Sequence, residues 1–229
     1  MIDFIIFFVT SKCNSHCKFC FYKNKLNRND DLSLEEIRKI SLNLGFFSNL
    51  LFSGGEPFLR KDLPEIINIF VSQNKVKNIS IPTNGINTSI IASTIQKILN
   101  DKRNINITFS VNPSVDALES IDVSLRGRED AFSTVIETIK ELGKLKNYHK
   151  NLRVAVNSVF SNENYSDLIK LIKLIDEFDF IDFHNLEVVR SSTLCDYSIL
   201  KVDINGLKKL HLLILKLHEH RLRRRIIKT

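Results

Sequence analysis

Three cysteines form the most chemically suggestive pattern in the chain. Cys13, Cys17 and Cys20 are separated by three and then by two residues. Three thiols cannot all be paired as disulfides, and the loops between them are too short to close a bridge without strain. A structural zinc site normally uses four ligands, often as two Cys-x-x-Cys halves, and no second half follows. The spacing therefore favours an iron–sulfur cluster held by three thiolates, which leaves one iron open to a substrate or cofactor.

This cysteine pattern, with Phe19 directly before the last cysteine, resembles the motif of the radical S-adenosylmethionine (radical SAM) enzymes. The resemblance implies a 4Fe–4S cluster whose open iron is chelated by the amino and carboxylate groups of SAM. An electron from the reduced cluster then cleaves SAM to methionine and a 5′-deoxyadenosyl radical, which removes hydrogen from a substrate. The resemblance also implies an electron donor such as flavodoxin or ferredoxin. Phe19 is expected to pack on the adenine or on the cluster. The alternatives are a chance cysteine cluster and a zinc knuckle.

A second motif follows a short apolar strand. Its residues resemble the family's segment that grips the SAM amino group, and they are expected to bind the cofactor: Ser53, Gly54, Gly55, Glu56 and Pro57. Glycines allow the backbone to approach a ligand without a Cβ clash, and Glu56 adds a negative charge for an ammonium group. Taken alone, a Gly-Gly pair predicts only a turn.

Three further sites resemble cofactor contacts of the family. Thr83 and Asn84 lie in a Thr-Asn-Gly loop that is expected to line the pocket, although an ordinary turn is the alternative. Ser110 is expected to hydrogen-bond SAM from the rim. Many relatives carry Ser-x-Asp-Gly at this point, whereas this chain has Asn112, whose amide carries no charge. Arg126 is expected to pair with the SAM carboxylate, since a guanidinium can grip a carboxylate through two hydrogen bonds. Its alternative is a surface loop arginine.

Other polar residues have weaker signals. The resemblance places Asn157 near the SAM ribose, and His184 and Arg190 near the substrate. For Asn157 and His184 a structural role is the favoured interpretation. Cys195 is solitary, which favours packing over chemistry. Three histidines on the last predicted helix lack partners at metal spacing and are interpreted as surface residues: His211, His218 and His220.

The pattern of elements predicts six alternating strand–helix units, hence an α/β (β/α)6 partial barrel with a parallel sheet and outer helices. The predicted strands are 1–9, 50–52, 79–81, 105–111, 152–159 and 180–189; the first is expected to be fully buried because it is continuously apolar. Ser33 and Glu36 form a predicted capping box, and Asp62 a predicted cap. The segment 112–130 is predicted to be irregular. The three main motifs follow strands one to three, which places them together beyond the carboxyl ends of the sheet.

Composition bounds the remaining possibilities. The 229 residues predict a single core domain, 1–229, with the core motifs in 4–190. A terminal helix and basic tail are predicted in 200–229, and the sequence leaves open whether this end is native or truncated. Although the net charge is +7, the only basic run is Arg221–Arg225, interpreted as a solvated helix end, so nucleic acid is not the expected partner. The apolar N-terminus is too short to span a membrane and lacks signal-peptide features. Free thiols favour a reducing cytoplasm.

These features predict a radical SAM enzyme that acts on a peptide or a small metabolite. One variant is a glycyl-radical-enzyme activase. The alternatives are an RNA-modifying radical SAM enzyme that uses the basic run and a non-catalytic zinc- or iron-binding module.

Overall fold

The computed structural model describes residues 2–190 and 202–227, so Cys195 lies outside the described residues. Its six strands form one parallel sheet in the order β1-β2-β3-β4-β5-β6. The strands are β1 (Phe4–Thr10), β2 (Asn49–Gly54), β3 (Asn78–Thr83), β4 (Thr108–Pro113), β5 (Leu152–Phe160) and β6 (Phe183–Val188). The predicted partial-barrel class is confirmed.

Helices connect successive strands. They are α1 (Leu34–Leu44), α2 (Leu63–Asn74), α3 (Thr88–Asn100), α4 (Glu119–Arg126), α5 (Ala131–Lys146) and α6 (Tyr165–Asp176), with α7 (Ile204–Ile227) after the last strand. Because strand order follows chain order and parallel crossovers are right-handed, the connecting helices cover the same face of the sheet. The other face is left concave and open.

The hydrophobic core lies between the sheet and this helical layer. Alternate strand side chains point into it, among them Phe52, Phe109 and Phe160, each fully buried. From the helical side, the ring of Phe70 in α2 packs against Phe7 of β1. Such alternation is the consequence of the two-residue period of a strand when only one face is covered. The core therefore fixes which strand residues are left for the concave face.

The prediction that the first strand is fully buried was wrong. β1 is an edge strand with β2 as its neighbour, and its alternate side chains Phe4, Ile6 and Phe8 are 54%, 53% and 44% exposed on the concave side. A continuous apolar run is typical of a strand covered on both faces, but only the helical face of β1 is covered.

Two local predictions have opposite outcomes. The capping box is confirmed: the Ser33 hydroxyl accepts from the Glu36 backbone N–H, and the Glu36 carboxylate accepts from the Ser33 N–H at 2.8 Å. Asp62 occupies the predicted N-cap position of α2, but its carboxylate makes no capping hydrogen bond and accepts instead from the Arg60 guanidinium at 2.8 Å. An arginine two residues away competed successfully for the carboxylate.

The predicted irregular segment 112–130 contains α4, which the sequence analysis missed. The predicted solvated basic run was also wrong at Arg221, which is 4% exposed, ion-paired with Asp176 at 2.9 Å and donates to the Ile181 carbonyl.

Across the described ranges, no helix combines the length and apolar character needed to cross a membrane.

Candidate functional site

A pocket with about 1080 Å³ of open space lies at the carboxyl ends of the strands. Its lining contains all three motif cysteines together with Phe19, Ser53, Gly54, Gly55, Glu56, Thr83, Asn84 and Arg126. Most of the predicted site residues, which come from four separate stretches of the chain, thus meet at one place. The parallel topology explains this, because the loops that follow successive strands share one rim.

The cysteine loop is held from two sides by backbone hydrogen bonds. On one side, the N–H groups of Gly55 and Glu56 donate to the carbonyls of Thr10 and Lys12, both at 2.7 Å. On the other side, the Lys18 N–H donates to the carbonyl of Leu125 at 2.8 Å, near the end of α4. The helix that was not predicted therefore helps to position the predicted cysteines.

Two polar side chains approach the cysteine sulfurs. The Ser15 hydroxyl lies 3.2 Å from Cys17 Sγ, and Ser15 is itself buried. The Asn84 side-chain amide lies 4.0 Å from Cys13 Sγ and donates to the Asn14 side chain at 2.7 Å. Hydrogen bonds to sulfur stabilise thiolates and tune the clusters that thiolates hold.

The electrostatics of the cysteine loop favour the protonated form of Cys13. Burial raises the pKa of the Cys13 thiol to about 11; the Ser15 backbone N–H opposes this rise, while Glu56, Cys17 and Cys20 add to it. Binding of a cationic metal centre must therefore release a proton from this thiol.

The cysteines suit a multi-iron cluster better than a single metal ion. Within the described part of the chain, no three Cys, His, Asp or Glu side chains converge closely enough to hold one ion. Ligands of a single zinc would lie within about 4 Å of one another, given Zn–S distances near 2.3 Å. A 4Fe–4S cluster binds each thiolate at a different iron, so its ligands are spaced more widely. All three free thiols line one pocket, as such a cluster requires.

Glu56 joins two loops of the site. Only 3% exposed, its carboxylate accepts from the Thr83 hydroxyl at 2.9 Å and the Asn84 N–H at 2.7 Å, and also from the Phe58 N–H at 3.2 Å. The loops after β2 and β3 are thereby fixed to each other. A direct contact between Glu56 and the SAM amino group stays a prediction.

Burial raises the pKa of Glu56 from 4.5 to about 7, against the opposing effect of the Asn84, Thr83 and Phe58 hydrogen bonds and of the Arg126 charge. Between these two pH values the folded protein retains a proton that the unfolded chain releases. The contribution of Glu56 to stability is therefore present below about pH 4.5 and is lost as the pH rises through about 7.

We therefore expect Glu56→Gln to become progressively more stable relative to the wild type as the pH is raised from 5 to 8. Glutamine cannot ionise, so the variant escapes the cost of burying a charge. Urea unfolding of both proteins at the two pH values measures this difference. A difference between the two proteins that did not change with pH would contradict the expectation.

Arg126 is buried in an ion pair. Its Nη2 lies 2.5 Å from Asp116 Oδ2, and both side chains are at most 3% exposed. The second oxygen of Asp116 accepts from the Val159 N–H at 2.7 Å, which ties the pair to β5. Both residues line the pocket, and Asp116 orients the Arg126 guanidinium there. The pairing of Arg126 with the SAM carboxylate stays a prediction.

Three residues singled out from the sequence lie elsewhere. Ser110 and Pro57 are outside the pocket lining, and the Ser110 hydroxyl donates to the Asn112 side chain at 2.7 Å. His184, for which the sequence favoured a structural role over contact with the substrate, is also outside the lining. It is buried beside Ser158, with Nε2 2.9 Å from the Ser158 hydroxyl, and burial lowers its pKa to about 3, with the Arg221 charge adding to this effect. Asn157 and Arg190 do line the pocket.

The sequence analysis missed Ser15, Ser114, Asp116 and Glu187, all of which line the pocket. Ser15 could have been noticed, because a hydroxyl within a cysteine motif can reach a neighbouring sulfur. Asp116 carried no recognisable signal, since its partnership with Arg126 depends on the unpredicted helix α4.

Comparison with known proteins identifies the family of this chain. The radical SAM superfamily matches residues 7–175. A GTP 3′,8-cyclase of Helicobacter pylori is 31% identical over 180 residues, which cover 76% of this chain and 52% of that protein. A probable GTP 3′,8-cyclase of Methanococcus maripaludis is 33% identical over 182 residues, which cover 74% and 57% of the two chains. The solved structure of native anSMEcpe with bound AdoMet superposes with a TM-score of 0.66 at 17% identity, over 98% of this chain and 62% of that one.

The chain belongs to the radical SAM superfamily, whose members use a 4Fe–4S cluster and S-adenosylmethionine. It spans about half the length of the curated relatives that it matches.

Proposed function

We propose that this protein is a radical SAM enzyme in which Cys13, Cys17 and Cys20 hold the 4Fe–4S cluster and the adjoining pocket binds SAM. The observation that carries the proposal is the convergence of the three free thiols with the Gly54–Glu56 loop in one pocket. When bound, the cluster supplies the electron that cleaves SAM and so generates the hydrogen-abstracting 5′-deoxyadenosyl radical.

The chain's own contribution is orientation and exclusion of water. The Gly54–Glu56 loop brings backbone carbonyls to the pocket, where they can accept from the SAM ammonium group. Arg126 lies in the pocket lining, where its ion pair with Asp116 orients the guanidinium that we propose as the partner of the SAM carboxylate. Phe19, which lines the same pocket, offers an apolar surface to the adenine or the cluster.

The proposed substrate is a small metabolite. Its support is the naming of two similar proteins as GTP 3′,8-cyclases, which act on a small molecule. The two arginines lining the pocket are each ion-paired, Arg126 with Asp116 and Arg190 with Glu187. We therefore extend the proposal to small metabolites as a class and not to GTP itself. GTP turnover by the reconstituted protein, compared with other nucleotides and with short peptides, tests this step.

The test of the reaction class is anaerobic reconstitution with iron and sulfide, followed by dithionite and SAM. We expect 5′-deoxyadenosine and methionine to form in amounts that depend on the reductant. Stoichiometric zinc with no visible charge-transfer absorbance would instead indicate a non-catalytic metal-binding module.

We further expect Ser15→Ala to lower the reduction potential of the bound cluster. A thiolate has no proton to donate, so we expect the Ser15 hydroxyl to donate to Cys17 at 3.2 Å in preference to its other acceptor, the Arg126 carbonyl at 3.4 Å. Such a hydrogen bond favours the more negative, reduced state. A difference of about 1.5 kcal/mol between the strengths of this hydrogen bond in the reduced and oxidised states would correspond to a shift of roughly 60 mV in a one-electron couple.

An anaerobic redox titration followed by electron paramagnetic resonance measures this shift. The matched control is Ser11→Ala, because the Ser11 hydroxyl donates to the Arg28 carbonyl at 2.9 Å and not to a sulfur. Equal potentials in the two variants would show that the Ser15 contact does not influence the cluster.

A further inference from the structure

The segment of chain that contains the cysteine loop is basic. Between Asp3 and Asp30 the chain has no acidic residue, whereas its lysines and arginine there are Lys12, Lys18, Lys23, Lys25 and Arg28. The last four are exposed, as is His16. The chain has a second basic concentration, the run Arg221–Arg225, in which Arg221 is buried and paired with Asp176. We call the exposed residues Lys18, Lys23, Lys25 and Arg28 the basic collar.

Two members of the basic collar have no ion-pair partner within the described part of the chain. Lys23 and Lys25 lie in a one-turn 3-10 helix, and neither ammonium group contacts a carboxylate. Lys18 pairs with Glu163 at 3.1 Å, in a bridge about 40% exposed on both sides, and Arg28 donates to the Asn24 carbonyl. A charge cluster that its own protein does not neutralise creates a positive potential that attracts acidic partners.

The basic collar is joined directly to a proposed cluster ligand. The Lys23 N–H donates to the Cys20 carbonyl at 3.3 Å, so the one-turn helix starts where the cysteine motif ends. Three residues of chain span at most about 11 Å, which places Lys23 close to the Cys20 thiol. A molecule seated on the collar would therefore lie beside the metal centre without entering the pocket.

We propose that the basic collar is the docking surface of an acidic one-electron donor protein, which reduces the cluster through the cysteine loop. This inference rests on the proposed function, because it requires a cluster at Cys13, Cys17 and Cys20. Electron-transfer complexes are small and transient and rely on complementary charge for rapid, correctly oriented encounters. A substrate that must reach the pocket would gain less from charges that flank the cysteine loop.

The test compares two charge-reversal variants of the reconstituted full chain. Lys23→Glu with Lys25→Glu alters the collar. Lys77→Glu with Lys102→Glu is the matched control, because these exposed lysines lie just before β3 and shortly before β4, at the opposite end of the sheet. Each pair changes the formal net charge from +7 to +3, since two Lys-to-Glu changes remove four charges from the total.

The initial rate of cluster reduction by a reduced acidic flavodoxin is measured by stopped-flow absorbance at low and at high salt. At low salt we expect the collar variant to be reduced at least about tenfold more slowly than the wild type, with the control variant within about twofold. High salt should slow the wild type and reduce the difference between the variants, because salt screens exposed charges.

Excess dithionite separates failure of this inference from failure of the proposed function. Dithionite should reduce the cluster to the same final extent in all three proteins. A collar variant reduced by flavodoxin as fast as the control variant would refute the docking surface alone. The docking surface would also be refuted if the collar variant lost affinity for an RNA oligonucleotide but not its rate of reduction. A wild-type protein that takes up no reducible cluster would refute the proposed function itself.

Discussion

Replacing Cys17 by alanine is expected to abolish formation of 5′-deoxyadenosine while leaving the protein soluble and folded. The variant lacks one of the three proposed thiolate ligands. The side chain belongs to a loop outside the hydrophobic core, and its described polar contact is with the Ser15 hydroxyl. We therefore expect the free energy of unfolding of the apo protein to change by only about 0.5 kcal/mol, as is usual for positions outside the core.

The measurements are reductant-dependent SAM cleavage, iron content and circular dichroism of the same preparations. Cys195→Ala is the matched control, since it removes a thiol that lies outside the motif and should leave cleavage unchanged. Wild-type yields of 5′-deoxyadenosine from Cys17→Ala would overturn the ligand assignment. Loss of cleavage through unfolding would appear in circular dichroism and would not count as support.

Gly55→Ala is expected to have the second largest effect, through displacement of the cysteine loop. A Cβ at Gly55 would lie 2.1 Å from the Lys12 carbonyl oxygen and 2.9 Å from that of Ser11. Both neighbours are backbone atoms, so no side-chain rotation can relieve the contact. The Glu56 N–H, in the same loop as Gly55, donates to the Lys12 carbonyl. To relieve the contact, the cysteine loop must therefore move away from the Gly54–Glu56 loop as a unit. We expect a loss of about 3 kcal/mol in stability and an iron affinity at least about tenfold lower.

Gly45→Ala provides a control for general destabilisation. Gly45 has φ +71° and ψ −158°, a conformation that is strained for alanine, yet its added Cβ would meet no atom within 4 Å. This variant should lose about 1 to 3 kcal/mol of stability and still take up iron normally. Equal iron uptake by the two variants would contradict the proposed contact between the loops.

The fold was largely predictable because two periodic signals agreed along most of the chain. Strand-length apolar runs alternated with helical patterns, and the motifs fell after the first three strands. Failures occurred where tertiary contacts overrode a local signal. Phe4, Ile6 and Phe8 had the composition of a doubly covered strand, but the position of β1 at the sheet edge depends on the whole topology.

The candidate site was predictable wherever its chemistry depends on residue type and short spacing, as for Cys13, Cys17 and Cys20. Long-range partnerships were not predictable in this way. The Ser158–His184 contact joins residues on neighbouring strands that are 26 positions apart. It holds His184 in the core, away from the substrate contact that the resemblance implied. Glu56 is a related case, because its carboxylate accepts hydrogen bonds from Thr83 and Asn84 in the loop after β3, which the sequence did not predict.

The central claim is that three thiols bind a four-iron cluster whose remaining iron is open to SAM. Mössbauer spectroscopy of protein reconstituted anaerobically with 57Fe tests it most directly. We predict about four irons and four sulfides per chain, with one quarter of the iron signal shifting when SAM is added. A single metal ion per chain without sulfide, or a four-iron spectrum that SAM leaves unchanged, would contradict the claim.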